Sequence, residues 1–280
     1  TAPDREGRAN AAVLVAASLC GIDTVFRIGG AQAIAALAYG TASVPKVDKI
    51  FGPGNAWVTA AKQIVAADPA GAAIDLPAGP SEVLVVADDS ARADFVAADL
   101  LAQAEHDPLA QAILVTDCAS LAAAVVSEIG RQLPRLARQS ILARSVQAMR
   151  VIVVADLDTA IDVSNLYAPE HLLLQVREPR RRLDAITNAG SVFIGPWSPE
   201  PMGDYCSGAN HVLPTYGYAR AWSGLSLHDF VKRMTVQELD VAGLAALGPT
   251  AVTLAQLEGL DAHAAAVNLR LEALERRAAS

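Results

Sequence analysis

Thiols are scarce in this chain. Its 280 residues include three cysteines, Cys20, Cys118 and Cys206, too few and too scattered for a disulfide framework or a thiolate zinc cluster. A reducing, cytoplasmic setting fits that scarcity. Positive charge is short as well: 22 Lys and Arg face 30 Asp and Glu, for a formal net charge of −8. A protein that binds nucleic acid by neutralising phosphates usually shows the opposite balance. Long hydrophobic runs are also missing. The longest uncharged stretch, between Arg27 and Lys46, is diluted by four glycines and prolines and by Gln32, Thr41 and Ser43, so it does not make a membrane span. The opening TAPDREGRAN lacks the cationic-then-apolar order of a signal peptide. It also lacks an initiator Met, which reads as a fragment or a processed form. What the chain does have is apolar content, 52% against 19% charged, which excludes intrinsic disorder. The length is enough to bury a full core without staples.

Short β-branched runs alternate with longer alanine- and leucine-rich stretches. A helix over Arg8–Leu19 is expected first, then strands at Asp23–Ile28, Val47–Phe51 and Ala72–Leu76 with helices Ala31–Tyr39 and Asn55–Ala67 between them. This β-α-β-α-β order implies parallel strands joined by helical crossovers. After Pro77–Pro80 the pattern restarts with strand Glu82–Ala87. Ser90 is then expected to cap a helix over Ala91–Glu105. Further strands are expected at Ala112–Thr116, Arg150–Val154, Leu172–Val176 and Ser191–Ile194, with helices Ser120–Gln132, Leu157–Leu166 and Arg180–Asn188. Continuous apolar strands indicate a sheet covered on both faces. Residues 196–224 are irregular and rich in Gly, Pro, Ser, Tyr and Trp, a texture that is usually functional in compact proteins. Helices return at Val241–Leu247, Leu254–Leu257 and Ala262–Arg276.

Histidine is rare enough to be informative, with five in the chain: His106, His171, His211, His228 and His263. Gln103 and His106 are i and i+3 at a predicted helix end, so both side chains share a face and can touch one ion. Alone, the pair reads more readily as a surface helix end with a histidine near the negative pole of the dipole. In Ala168-Pro169-Glu170-His171, an acid beside an imidazole at a strand entrance can divide two proton transfers. Equally, Glu170 is solvated there and His171 half-buried. Asp204, between Gly203 and Gly208, either binds a metal or caps a turn, and His211 follows seven residues on. Cys206 reads as a small buried residue. Glu258 and His263 flank a break before the last helix and by themselves read as a solvated helix start. Gly29-Gly30-Ala31-Gln32 and Gly52-Pro53-Gly54-Asn55 each follow a strand and open a helix, a geometry that offers backbone N–H groups to phosphate. Neither matches GxGxxG, and a tight βα turn needs glycine anyway.

Taken together, several long phrases resemble the histidinol dehydrogenase family. They are RIGGAQAIAALAYGT (27–41), DKIFGPGNAWVTAAK (48–62), DLPAGPSEVLVVAD (75–88), LLAQAEHDP (100–108), YAPEHL (167–172), AGSVFIGPWSPEPMGDYCSGANHVLPT (189–215) and EGLDAHAAAVNLRL (258–271). The resemblance implies an α/β fold of two Rossmann-like, doubly wound, mostly parallel domains with a helical C-terminal tail. Residues 1–79 would be the NAD-side domain, 80–225 a second domain carrying zinc and catalysis, and 226–280 a tail crossing to a partner subunit in a homodimer. The family's chain begins well upstream of Thr1, so the second domain is expected to be incomplete.

The same resemblance implies zinc ligands at Gln103, His106, Asp204 and His263, with Mn²⁺ or Co²⁺ as possible substitutes, and an acid/base pair at Glu170 and His171. Ser81, His211 and Glu258 match residues that hold the substrate, along with Gln103, His106, His171, Asp204 and His263. Gln32 and Asn55 match positions that contact NAD. The implied reaction takes L-histidinol through L-histidinaldehyde to L-histidine with two NAD⁺, the last step of histidine biosynthesis. Two other readings fit these residues. One is a zinc hydrolase with Glu170 activating water. The other is a truncated, non-catalytic relative that binds an imidazole ligand. Neither nucleic acid nor membrane is an expected partner.

Overall fold

The structure is a computed structural model and describes residues 1–278. It divides into two compact units, Thr1–Phe230 and Val231–Ser280.

The first unit opens with α1 (Ala11–Leu19), capped by the Asn10 side chain, and α2 (Gly30–Tyr39). Then come β1 (Lys49–Ile50), α3 (Ala56–Ala67) and β2 (Ala73–Ile74). The two strands pair in parallel. Ile34 and Ala38 of α2 and Val65 of α3 pack with Ile50 and Ala72 into one small core.

A five-stranded parallel sheet follows: β3 (Glu82–Ala87), β4 (Gln111–Thr116), β5 (Arg150–Val153), β6 (His171–Gln175) and β7 (Ser191–Ile194). Its order is β5-β4-β3-β6-β7. The chain therefore winds outward from β3 on one side, then returns to the other side of β3 through β6. Helices α4 (Ala93–Ala104), α5 (Ala119–Gln132), α6 (Gln139–Ala148) and α7 (Leu157–Tyr167) make the crossovers.

Every residue of β3 is buried, and its period of two feeds two cores. Val83, Val85 and Ala87 face Val96, Leu100, Leu121 and Val125 of α4 and α5. Leu84 and Val86 face Ala160 of α7 with Leu172 and Leu174. Each fully buried Val or Leu contributes about 1.5–3 kcal/mol, so a strand covered on both faces selects apolar residues without alternation. The α/β, parallel-sheet architecture agrees with the expectation above.

Several local expectations are overturned. Asp23–Ile28 forms no strand. The Phe26 carbonyl accepts from the Thr1 ammonium, and the Arg27 guanidinium donates to the Gly7 carbonyl, so the segment pairs with the chain's opening residues and the first sheet has two strands. Ser90 does not cap α4. Its N–H and hydroxyl both bind the Asp88 carboxylate, and the helix starts three residues later. Residues 180–188 are not an α-helix. Pro179–Ala185 form a 3₁₀ turn, because the Asn165 side chain binds the Ala185 carbonyl and the Thr187 N–H and draws the chain out of helical register.

Helix α6 was not anticipated. Its Leu142 is fully buried against Leu101 and Ala104. The irregular 196–224 segment contains one short helix, α8 (Glu200–Tyr205).

In the second unit α9 (Val241–Leu257) runs unbroken through Pro249, where two separate helices were expected. It is followed by α10 (Asp261–Ala278). Gly248 of α9 lies against Leu271 of α10, at a point where a Cβ would meet the leucine at 2.9 Å. Among the described residues, no helix is long and apolar enough to cross a membrane.

Candidate active site

The parallel pairing of β3 with β6 sets His171 opposite Val83, at the entrance of both strands. Glu82 then holds two neighbours with its backbone. Its carbonyl lies 2.9 Å from His171 Nδ1, and its N–H donates to Glu170 Oε2 at 2.8 Å. A carbonyl only accepts, so Nδ1 carries the proton and Nε2 is left as the lone pair. That Nε2 is buried and has no hydrogen-bond partner. Glu170 and His171 are both buried, which overturns the solvated alternative for this pair. Gly190 backs the turn: its N–H donates to the Pro169 carbonyl at 2.9 Å, and a Cβ there would lie 2.6 Å from the Glu170 carbonyl oxygen. Only glycine allows that approach.

Two more elements converge on His171. At the end of α4, Gln103 is fully buried; its Nε2 lies 3.3 Å from His106 Nδ1 and its Oε1 has no partner. In α8, Glu200 and Asp204 are i and i+4 and share a face. One ligand atom each from His106, Glu200 and Asp204 lie within 4.8 Å of one another. His171 Nε2 is 3.9 Å from Asp204 Oδ1 and 4.0 Å from Glu200 Oε1. Ser81, His106, Glu170, His171, Asp204 and His211 line one cavity of about 350 Å³. Cys206 turns away. It is exposed, with Sγ 3.9 Å from Met202 Sδ, because the inward face of α8 carries Glu200 and Gly203 instead.

The cavity is crowded with groups that lose water. Burial lowers His171 to about 4, so the ring is neutral near pH 7. Burial, with the charges of Glu82, Glu200 and Asp204 adding to it, holds Glu170 well above the usual carboxylate range. Glu200 is raised to about 8 by burial and then by the Asp204 charge. Burial also raises Glu82, although the Tyr216 N–H on its carboxylate opposes the shift.

Asp99 on α4, raised to about 7 by burial, has no side-chain hydrogen bond or salt bridge among the described residues. The folded state keeps a proton on Asp99 that the unfolded chain releases above 3.8. Stability is therefore lost as pH rises from 3.8 to about 7. Asp99→Asn is expected to stabilise the chain by up to about 4 kcal/mol at pH 8 and by little below about pH 4. Thermal unfolding at the two pH values checks this; equal melting temperatures at pH 8 would refute it.

Beside the cavity, a second hollow of about 460 Å³ is lined by Gly54, Asn55, Ala56, Trp57, Ser81 and His106, among others. The start of α3 opens onto it. Asn55 spends its side-chain oxygen capping the Trp57 and Val58 N–H groups. The Gly52–Asn55 turn is braced from below: Lys62 pairs with Asp75 in a buried ion pair and donates to the Gly52 carbonyl at 2.9 Å, while Asp75 Oδ2 accepts the Gly52 N–H at 2.7 Å. Gln32 is exposed on the first turn of α2 and lines neither hollow. Glu258 and His263 are exposed residues of the second unit, at the break between α9 and α10.

The pattern of the histidinol dehydrogenase family matches residues 1–271. The chain belongs to the histidinol dehydrogenase family. It is 58% identical over 266 residues to a histidinol dehydrogenase of Escherichia coli, covering 95% of this chain and 61% of that protein. A Yersinia pestis histidinol dehydrogenase is 60% identical over 262 residues, covering 94% of this chain and 59% of that one. The crystal structure of histidinol dehydrogenase from Elizabethkingia anophelis superposes with a TM-score of 0.94 at 48% identity, covering 98% of this chain and 63% of that chain. The chain thus spans about three fifths of the length of these relatives.

The family resemblance gives roles to Glu170, His171, His106 and Asp204, but none to Glu82 or Glu200, although both lie within the matched phrases 75–88 and 189–215. Glu82 acts through its backbone, which no side-chain pattern reveals. Glu200 had one available signal, its spacing of four from Asp204, which carries meaning only once residues 200–205 are known to be helical.

Proposed function

We propose that this chain carries the catalytic and metal-binding residues of a zinc-dependent histidinol dehydrogenase, oxidising L-histidinol through L-histidinaldehyde to L-histidine with two NAD⁺, the last step of histidine biosynthesis. The observation that carries the proposal is the neutral, unpartnered His171 Nε2, about 4 Å from a cluster of acidic oxygens. The donor set fits a divalent cation. Gln103 Oε1 is buried with nothing to accept from, and the His106 and Asp204 ligand atoms lie close enough to share one ion. Gln103, His106 and Asp204 would hold zinc, which supplies a fixed positive charge to orient the substrate's amine and imidazole and takes no electrons. The start of α3 fits a pyrophosphate, with Asn55 and, on α2, Gln32 as the proposed NAD contacts. NAD supplies the hydride acceptor, once for each oxidation.

His171 Nε2 takes the hydroxyl proton of the alcohol as the carbinol hydride leaves, giving the aldehyde. Glu170 takes a proton from water whose oxygen adds to the aldehyde carbon, while His171 returns its proton to the carbonyl oxygen, giving the hydrate and freeing Nε2. Its position above the usual carboxylate range makes its anion a stronger base than an exposed glutamate. The hydrate then loses its second hydride, with His171 again accepting the hydroxyl proton, and the acid forms. Ser81 and His211, at the cavity wall, would hold the substrate. Glu258 and His263 would come from a second copy in a homodimer. Three scattered cysteines support a reducing, cytoplasmic location.

The test is NADH formation from L-histidinol by this chain and by a form extended to the relatives' length. Two NADH per histidinol are expected, abolished by a chelator and restored by zinc. Ester or amide cleavage without NAD⁺ would favour the hydrolase reading. Ligand binding with no NADH from either form would favour the non-catalytic one.

A further inference from the structure

Glu200, like Glu82, is a carboxyl at this site for which the family resemblance gives no role. It begins α8 between Pro199 and Pro201 and is 1% exposed. Both of its carboxylate oxygens are buried and neither receives a hydrogen bond. A buried carboxylate is ordinarily paired, protonated or bound to a metal. Of the groups that face Glu200, only the Asp204 carboxyl can share a hydrogen bond with it, and that needs a proton held between two acids. From β6 comes His171 Nε2 at 4.0 Å, a lone pair, because the ring proton is committed to the Glu82 carbonyl. From its own helix comes Asp204, and from α4 comes Asp99, both acidic. The remaining neighbour is His106, whose ring nitrogen lies within 4.8 Å of ligand atoms of both Glu200 and Asp204. Atoms this close come within reach of one cation with side-chain movements on the order of 1 Å.

We propose that Glu200 is a carboxylate of the metal centre, presenting an oxygen to the cation beside His106 and Asp204. This rests on the reading above that Gln103, His106 and Asp204 hold a divalent ion, and adds a residue to it. The negative charge of Glu200 then governs how tightly the ion is held.

The experiment compares the full chain with its Glu200→Gln and Glu200→Asp variants. Zinc affinity is read by competition with a chromogenic chelator, and bound metal by elemental analysis after dialysis. Glu200→Gln is expected to weaken zinc binding by about 10–100-fold. The metal-free variant should melt close to the metal-free parent, because an amide of the same shape replaces a carboxyl that has no ion pair there. The rise in melting temperature on adding zinc should shrink. Glu200→Asp, which keeps the charge on a shorter stem, should recover part of the affinity and stands in as the test if the glutamine variant does not fold.

Parent-like affinity in both variants would overturn the role of Glu200 and leave the Gln103, His106 and Asp204 reading intact. If the parent binds no zinc and Asp204→Asn is indistinguishable from it, the metal reading falls and this assignment falls with it.

Discussion

His171→Asn is expected to lower NADH formation from L-histidinol by about 10²–10⁴-fold, the usual contribution of a positioned general base, while zinc content stays at the parent level. The amide nitrogen of asparagine can still donate to the Glu82 carbonyl, so the entrance to β3 and β6 should remain closed. What disappears is the lone pair at Nε2, the one basic nitrogen that burial keeps unprotonated at neutral pH. Because burial lowers this ring to about 4, the base form persists well below the ordinary imidazole value. The parent's acid limb should therefore carry no inflection near 6.5 from this residue. Steady-state rates across pH, with metal analysis on the same samples, check both points. A variant within tenfold of the parent would remove His171 from the proton-transfer role.

Lys62→Met is the second large effect, and it acts on stability. Lys62 and Asp75 form an ion pair with side-chain exposures of 6% and 0%. Removing one member leaves the other as an uncompensated buried charge, which costs about 3–5 kcal/mol. Asp75 would keep the N–H groups of Gly52 and Leu76, each at 2.7 Å, but would lose its ion-pair partner. The Gly52 carbonyl would lose its donor as well. Chemical denaturation should show the full loss in Lys62→Met, and the double variant Lys62→Met/Asp75→Asn should recover much of it. The Gly52–Asn55 turn should loosen along with the pair, so KM for NAD⁺ should rise more than KM for histidinol. A loss under about 1 kcal/mol would mean that the pair is hydrated and braces nothing.

Much of the sheet could be read from local pattern. Glu82–Ala87 and Ser191–Ile194 have the expected bounds, and the other strands of the large sheet shift by one residue. The continuous apolar runs of β3, β4 and β6 are buried on both faces, whereas the equally apolar β5, at the sheet edge, is exposed along its length and β7 is half-buried. The failures are where a distant group outcompetes a local preference. Asp88 takes the Ser90 donors, Asn165 unwinds 185–188, and the first residues of the chain occupy the edge at Phe26–Arg27. Pro249 is the converse case, a helix breaker carried inside one continuous helix that packs along α10.

The sequence alone determined the family, through long motifs with few degrees of freedom. It also determined the parallel α/β class, through apolar runs too continuous for a sheet with one face in water, and the chemical identity of the Gln, His, Asp and Glu donors. Only the tertiary structure decided which of His171's nitrogens is basic, because that depends on the register of β6 against β3 and on one carbonyl 89 residues away. It also decided that Glu170 and Glu200 are buried and that Glu200 faces His106 and Asp204. Motifs record which atoms are present; desolvation, tautomer and mutual distance are set by neighbours brought in from elsewhere in the chain.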